Sequence, residues 1–250
     1  MARLSVNLNK IALLRNARRT GVPDLRRLAT LAHAAGAQGL TVHPRPDERH
    51  IRRDDVFMLA ELMRPWRPAC EFNIEGYPDA PFLDLMAQVR PEQCTLVPDA
   101  PGVLTSDEGW RLDGVQMQLV STAAATLHRV GCRVIVFVDP DPAVVPLVQE
   151  AGADGIEIYT GGYAAAFCQG THDGVLHACA ATEAAATRHG LAVNVGHDLN
   201  LENLPPLVAA LPLFAEASIG HELTADALLM GWTQAIDAYR AALSPVGSRT

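Results

Sequence analysis

The chain has 250 residues, enough to bury one substantial core and close to the usual size of a complete α/β barrel, so a single domain is expected. Its formal net charge of -8 lacks the basic excess that recognition of a phosphate backbone needs, which argues against a nucleic-acid partner. No stretch approaches the roughly 18 uninterrupted apolar residues of a membrane span, and MARLSVNLNK lacks the apolar segment of a secretory signal, so no membrane partner and a cytoplasmic location are expected.

From the N-terminus onward, short apolar or β-branched runs alternate with longer amphipathic ones. LSVNLN reads as a first strand, PDLRRLATLAHAAGA as a helix, and GLTVHP as a second strand. DDVFMLAELM is helical, CEFNIEG a third strand and CTLVP a fourth. Then comes PDAPGVLTSDEGWRLDG, which is long for a strand-to-helix connection and rich in turn formers, the profile of a lid or binding loop or, equally, of a disordered surface excursion. VSTAAATLHRVG, PAVVPLVQEAGA and THDGVLHACAATEAAATRHG are helices, several closed by glycine; RVIVFVD, GIEIYT, LAVNVGH and EASIGH complete the strands. Such alternation makes a parallel sheet, and eight units favour a closed (β/α)₈ barrel with extra helical or loop segments. Residues 1–243 form the expected domain, with 244–250 as a frayed tail.

Cys70, Cys94, Cys132, Cys168 and Cys179 are odd in number and widely spaced, so they read as small core residues rather than a disulfide or zinc framework. The apolar segment LLMGWTQAIDAY can belong to the core or to a subunit interface, the core being the better expectation.

In a parallel barrel the reactive groups gather at the C-terminal ends of the strands. Asn7 and Asn9 are placed at the end of the first strand, His43 and Arg45 at the second, and Glu75 at the third. Glu157 and Thr160 belong to the sixth, Asn194 and His197 to the seventh, and His221 lies beyond the eighth. Imidazoles beside partly buried carboxyls are equipped for proton transfer. Metal binding by His43, His197 and His221 is the competing reading, ranked lower because the H-x-H pair of many metal-dependent barrel hydrolases is missing. Gly196-His197 and Gly220-His221 stand where barrels often hold phosphate, and Arg18, Arg45 and His50 offer a second anion site.

Seven strings occur in order across nearly the whole chain: VNLNKIALLRNAR, GLTVHPRPDERHI, FNIEG, LVPD followed by LTS, IEIYTG, VNVGHDL and SIGHEL. Together they resemble the pyridoxine 5′-phosphate synthase family. The resemblance implies a barrel enzyme, without metal or redox cofactor, that joins 3-amino-2-oxopropyl phosphate to 1-deoxy-D-xylulose 5-phosphate and releases inorganic phosphate and water. It implies His43 and Glu75 as proton acceptors, His197 as proton donor and Glu157 as a transition-state stabiliser. By the same resemblance Asn7, Arg18, Asp198, Gly220 and His221 would meet the amino-ketone phosphate. Arg45, His50 and Thr105 would hold the deoxyxylulose phosphate, and a homo-octamer is implied. Where the family pattern has aspartate-histidine, this chain has Asn9-Lys10, which are retained as candidate substrate contacts; Lys10 is the only lysine in the chain. Two readings from other classes stand beside this one: a metal-dependent barrel hydrolase or isomerase, and a non-catalytic barrel that binds phosphorylated ligands.

Overall fold

A computed structural model describes residues 2–99 and 108–244. Eight parallel strands close on themselves in chain order: β1 Arg3–Asn7, β2 Gly39–Val42, β3 Glu71–Gly76, β4 Gln93–Leu96, β5 Arg133–Val138, β6 Gly155–Tyr159, β7 Ala192–Gly196 and β8 Glu216–Ile219. The closing register pairs Leu4 with Ala217 and Val6 with Ile219. Around the barrel run α1 Asn9–Asn16, α2 Leu25–Ala34, α3 Arg53–Met63, α4 Ala80–Val89, α5 Gly114–Arg129 and α6 Val145–Glu150. They are followed by α7 Gly161–Cys168, α8 Asp173–Arg188, α9 Leu204–Ala210, α10 His221–Met230 and α11 Trp232–Ala242.

The strands alternate in character because their two faces meet different surroundings. Leu4, Val6, Leu40, Val42, Phe72 and Ile74 belong to the apolar core together with buried helix residues such as Leu59 and Leu127. The intervening residues, by contrast, are polar and meet one another across the barrel. Ser5 and Thr41 hydroxyls lie 2.6 Å apart, Asn73 donates to Thr41, Thr95 donates to Asn73, and Asn194 donates to Gln93. The barrel interior is thus a hydrogen-bonded polar network where packed aliphatic layers are usual.

Local signals explain the boundaries. Asp24 accepts the backbone N–H of Arg26 at 2.9 Å and starts α2, an N-cap worth about 1 kcal/mol. Gly36 and Gly152 adopt the left-handed backbone (φ +88° and +77°) just after α2 and α6, as their helix-closing positions require.

Three expectations need correction. The first strand stops at Asn7, not at Asn9, because the Asn7 side-chain oxygen accepts the Asn9 N–H at 3.0 Å and turns the chain into α1. Cys168, at the end of α7, is exposed, whereas the other four cysteines are buried. Within LLMGWTQAIDAY only the second half is core: Ala235, Ile236 and Tyr239 are buried, while Leu228 and Leu229 are 77% and 88% exposed on α10.

Candidate active site

The polar rim at the C-terminal ends of the strands surrounds a cavity of about 580 Å³. It brings together Asn7, Asn9 and Lys10 from the end of β1 and the start of α1, and His43, Arg45 and His50 from the segment after β2. Glu75 comes from β3, Glu157 from β6, His197 and Asp198 from the turn after β7, and Gly220 and His221 from the end of β8.

Glu75 and His43 form the buried centre. The His43 Nδ1 lies 3.9 Å from Glu75 Oε2, beyond direct hydrogen bonding but close enough for a substrate atom or water to pass a proton between them. Burial lowers the His43 pKa well below the ordinary imidazole value, and the neighbouring Arg45 charge lowers it further. Burial also raises Glu75 to about 7, helped by the Asp99 carboxylate and opposed by a long hydrogen bond from Asn7. Near neutrality His43 is therefore uncharged and Glu75 close to half-ionised, so the contact is not a standing salt bridge. A carboxyl with that pKa exchanges protons readily at neutral pH.

Asn9 is used structurally, since its side-chain oxygen accepts the His43 N–H at 2.9 Å and joins the start of α1 to the end of β2. Glu157 sits in mid-strand, receives a 3.4 Å hydrogen bond from the Thr95 hydroxyl, and has its pKa raised well above the usual value by burial and by Glu75 and Glu216. A Cβ at position 196 would come within 2.4 Å of Glu157 Oε1 and would push that carboxyl from its place. The His197 ring packs against Phe137 and Tyr159, with centroids 5.4 and 5.2 Å away.

Two flanks can receive anions. On one, Lys10, Arg45, Arg49 and His50 line the cavity. Here His50 Nδ1 accepts the Ile51 N–H at 2.9 Å, which leaves the ring proton of the neutral form on Nε2 as a donor. Burial and the charges of Arg45 and Lys10 bring His50 down to about 4, so that neutral form prevails. On the other flank, at the end of β8 beyond β1, α10 begins at His221, its N-terminal end beside Gly220 and Ser218 at the cavity. Helix N–H groups at such an end suit a phosphate. Gly220 is required by close approach, since a Cβ there would lie 2.8 Å from that of Asn7.

Not every expected residue is gathered. Arg18 is exposed beyond the end of α1 and does not line the cavity. Thr105 lies outside the described residues. The described end of that long connection is anchored by Trp110, which donates to the Leu96 carbonyl at 2.9 Å and stacks on Tyr77. Among the described residues no set of three histidine, cysteine or acidic side chains stands close enough to hold a metal ion, so His43, His197 and His221 are not arranged as a metal site.

Three contributors escaped the sequence reading. Asp99 pairs with Arg45 at 2.8 Å in a buried contact and also raises Glu75. Arg15 binds Asp55 at 2.8 Å and the His50 carbonyl at 3.2 Å, while Asn16 donates to the same carbonyl at 2.8 Å. Within LRNAR, then, the first arginine and the asparagine hold the loop that carries His50, whereas the second arginine, Arg18, stands exposed beyond the helix.

Residues 4–245 match the family described as pyridoxal phosphate biosynthesis protein PdxJ. The chain belongs to that family. It is 48% identical over 242 residues to the pyridoxine 5′-phosphate synthase of Albidiferax ferrireducens, covering 95% of each chain. The corresponding Brucella suis protein is also 48% identical, over 251 residues that cover 97% of this chain and 99% of that one. More distant structures share the barrel alone. The YdjI aldolase from Escherichia coli K12 superposes with a TM-score of 0.62 at 11% identity, covering 97% of this chain and 88% of that one. A tryptophan synthase from M. tuberculosis gives 0.63 at 13%, covering 97% and 94%. The buried Glu75 and His43 of the rim lie within two of the strings that carry the resemblance, FNIEG and GLTVHPRPDERHI.

Proposed function

We propose that this chain condenses 3-amino-2-oxopropyl phosphate with 1-deoxy-D-xylulose 5-phosphate to give pyridoxine 5′-phosphate, inorganic phosphate and water. The observation that carries the reading is a proton-exchanging pair, Glu75 and His43, lining one cavity together with two anion-receptive flanks. A condensation of two phosphorylated substrates needs both features. Anchoring each phosphate fixes the substrates' reactive ends over the pair and converts a bimolecular encounter into an effectively intramolecular one.

The substrate amine attacks the ketone of its partner, and loss of water gives an imine. Glu75 as carboxylate and His43 as neutral imidazole remove carbon-bound protons, which forms enamines and drives out the phosphate. His197 supplies a proton to a departing oxygen. The neutral form of Glu157 donates a hydrogen bond to oxygen that gathers negative charge during ring closure. Arg45 and His50 hold the deoxyxylulose phosphate, with Lys10 on the same flank. Asn7, Gly220 and His221 hold the amino-ketone phosphate, with Asp198 at its edge. Assembly as a cytoplasmic homo-octamer belongs to the same reading, and the exposed Leu228 and Leu229 give such packing an apolar surface to cover.

Purified protein incubated with both substrates, with and without chelator, is expected to form pyridoxine 5′-phosphate and free phosphate at equal rates in the two arms. Binding of both substrates without phosphate release would reduce the protein to a ligand-binding barrel. Chelator-sensitive turnover would make it a metal-dependent enzyme.

A further inference from the structure

We propose that Thr160 is a positioning residue that holds the imidazole of His197 in its working place; this rests on the proton-donating role proposed above for His197. Thr160 is fully buried at the junction of β6 and α7, where it is the residue preceding the helix. A threonine at that position ordinarily turns its hydroxyl onto the helix's free N–H groups. Here it makes no such cap. Its Oγ1 instead lies 2.6 Å from the carbonyl oxygen of Gly196 and 2.6 Å from that of His197, across the sheet at the end of β7. The hydroxyl has one proton to give, and because the Gly196 carbonyl also receives the Thr160 backbone N–H at 2.8 Å, turning that proton to the His197 carbonyl leaves both carbonyls with a donor.

That carbonyl belongs to an unfavourable turn. His197 and Asp198 have φ of +85° and +56°, consecutive left-handed residues neither of which is glycine. Such a turn persists only when its surroundings impose it. Thr160 grips one end, and Asn203 grips the other by donating to the Asp198 carbonyl at 2.9 Å. Asn203 is itself fixed by Tyr163, whose hydroxyl donates to its carbonyl at 2.7 Å. The start of α7 therefore clamps the loop after β7 at two points. The clamp sets the His197 ring against Phe137 and Tyr159 at the cavity. Thr160 gives up a helix cap to make this contact, and its effect on the reaction passes through His197.

The test compares Thr160→Val, Thr160→Ala and Thr160→Ser, each in the native and the His197→Asn backgrounds, by steady-state formation of pyridoxine 5′-phosphate. In the native background Thr160→Val should lower kcat by about 10- to 100-fold, the usual result of displacing a reacting group by a fraction of an ångström to one ångström, with both KM values within about threefold. Thr160→Ser keeps the donor and should recover most of the rate. Thr160→Ala replaces the valine variant should that one not fold. In the His197→Asn background the loss of the hydroxyl should change the residual rate by less than about twofold, since groups that act as one unit are not additive. Equal fractional losses in the two backgrounds, an unaffected kcat, or a serine variant as impaired as the valine one would overturn the proposal.

Should the native protein form no pyridoxine phosphate, the functional reading fails by itself. Nitrogen-15 spectra of the imidazoles then decide the positioning claim separately: the His197 signals should move in Thr160→Val and return in Thr160→Ser, and unmoved signals would refute it.

Discussion

Glu71 and Glu75 lie four residues apart on one strand, β3, yet they end up as opposite kinds of acid. At the lower end of the barrel Glu71 meets Arg133 at 2.5 Å and Arg3 on its other side. Burial alone would raise its pKa, but those two guanidinium groups outweigh it and hold the carboxyl below its ordinary value. At the upper end Glu75 receives one 3.5 Å hydrogen bond from Asn7, faces the Asp99 carboxylate, and rises to about 7. The difference is one of supply. At the floor Arg3 and Arg133 both turn to Glu71, whereas the nearby Arg45 at the rim is already engaged with Asp99. A permanently ionised Glu71 can tie strands together and exchange nothing; an uncompensated Glu75 is a poor tie and a good proton carrier.

Isosteric amides would separate the two roles. Glu75→Gln should lower kcat by about 10²- to 10⁴-fold, the range typical of a lost general base, with substrate affinity within a few-fold by calorimetry. Glu71→Gln should leave kcat within about twofold and instead cost roughly 1–3 kcal/mol in denaturant unfolding, because Arg3 and Arg133 lose a charged hydrogen-bond partner while remaining about one-third exposed. If Glu71→Gln abolished turnover in a stably folded protein, or Glu75→Gln left it intact, the division between floor and rim would collapse.

Much of this division was legible in the sequence, though not all of it. The barrel followed from eight strand–helix units, and the rim followed from counting polar residues at strand ends, because topology places those ends together whatever the details. His43 and Glu75 stand at such ends, whereas Glu157, counted with them, lies in mid-strand and still reaches the cavity. Asp99 was not singled out, since its importance lies in facing Arg45 and Glu75 from other strands, a relation no local pattern encodes. Within LRNAR no local pattern tells Arg15, which meets the loop after β2, from Arg18, which lies beyond the end of α1. The polar interior did leave a trace. In LSVN, GLTV, FNIE and AVNV every second residue is polar or small, and this period of two distinguishes a hydrated or networked face from a packed one. The same alternation points to Thr41, Asn73 and Asn194, which strand-end reasoning passes over or treats as rim residues.

The acidity of Glu75 gives a sharper probe of the rim. Its carboxylate form is the base, so kcat/KM should fall about tenfold per pH unit as the pH drops below about 7, while His43, with its lowered pKa, imposes its own limit only at lower pH. Asp99→Asn removes a negative neighbour and releases the positive charge of Arg45, and both changes favour ionised Glu75. The acidic limb should therefore move to lower pH. A limb that stayed in place or moved upward would mean that another group sets it.

Glu157 provides the smallest effect and the cleanest contrast with the floor, because it has neighbours of its own sign and only a weak hydrogen bond from Thr95. Its folded pKa lies well above the unfolded value near 4.5, so the protonated carboxyl adds stability below that value and the contribution is lost as the pH rises toward the folded one. Glu157→Gln removes the titration while keeping the shape. The variant's Tm relative to the native protein should thus increase from pH 5 to pH 9, by roughly 2–4 °C for each kcal/mol of relieved charge burial in a chain of this size. Glu71→Gln should instead show a deficit that stays level across that range and shrinks only as the pH falls below about 4.5, since a carboxyl of lowered pKa gives its full stabilisation above its unfolded pKa. Parallel pH trends in the two variants would show that the barrel's two ends treat a carboxyl alike, and the assignment of the rim as the place where charge is left uncompensated would fall with them.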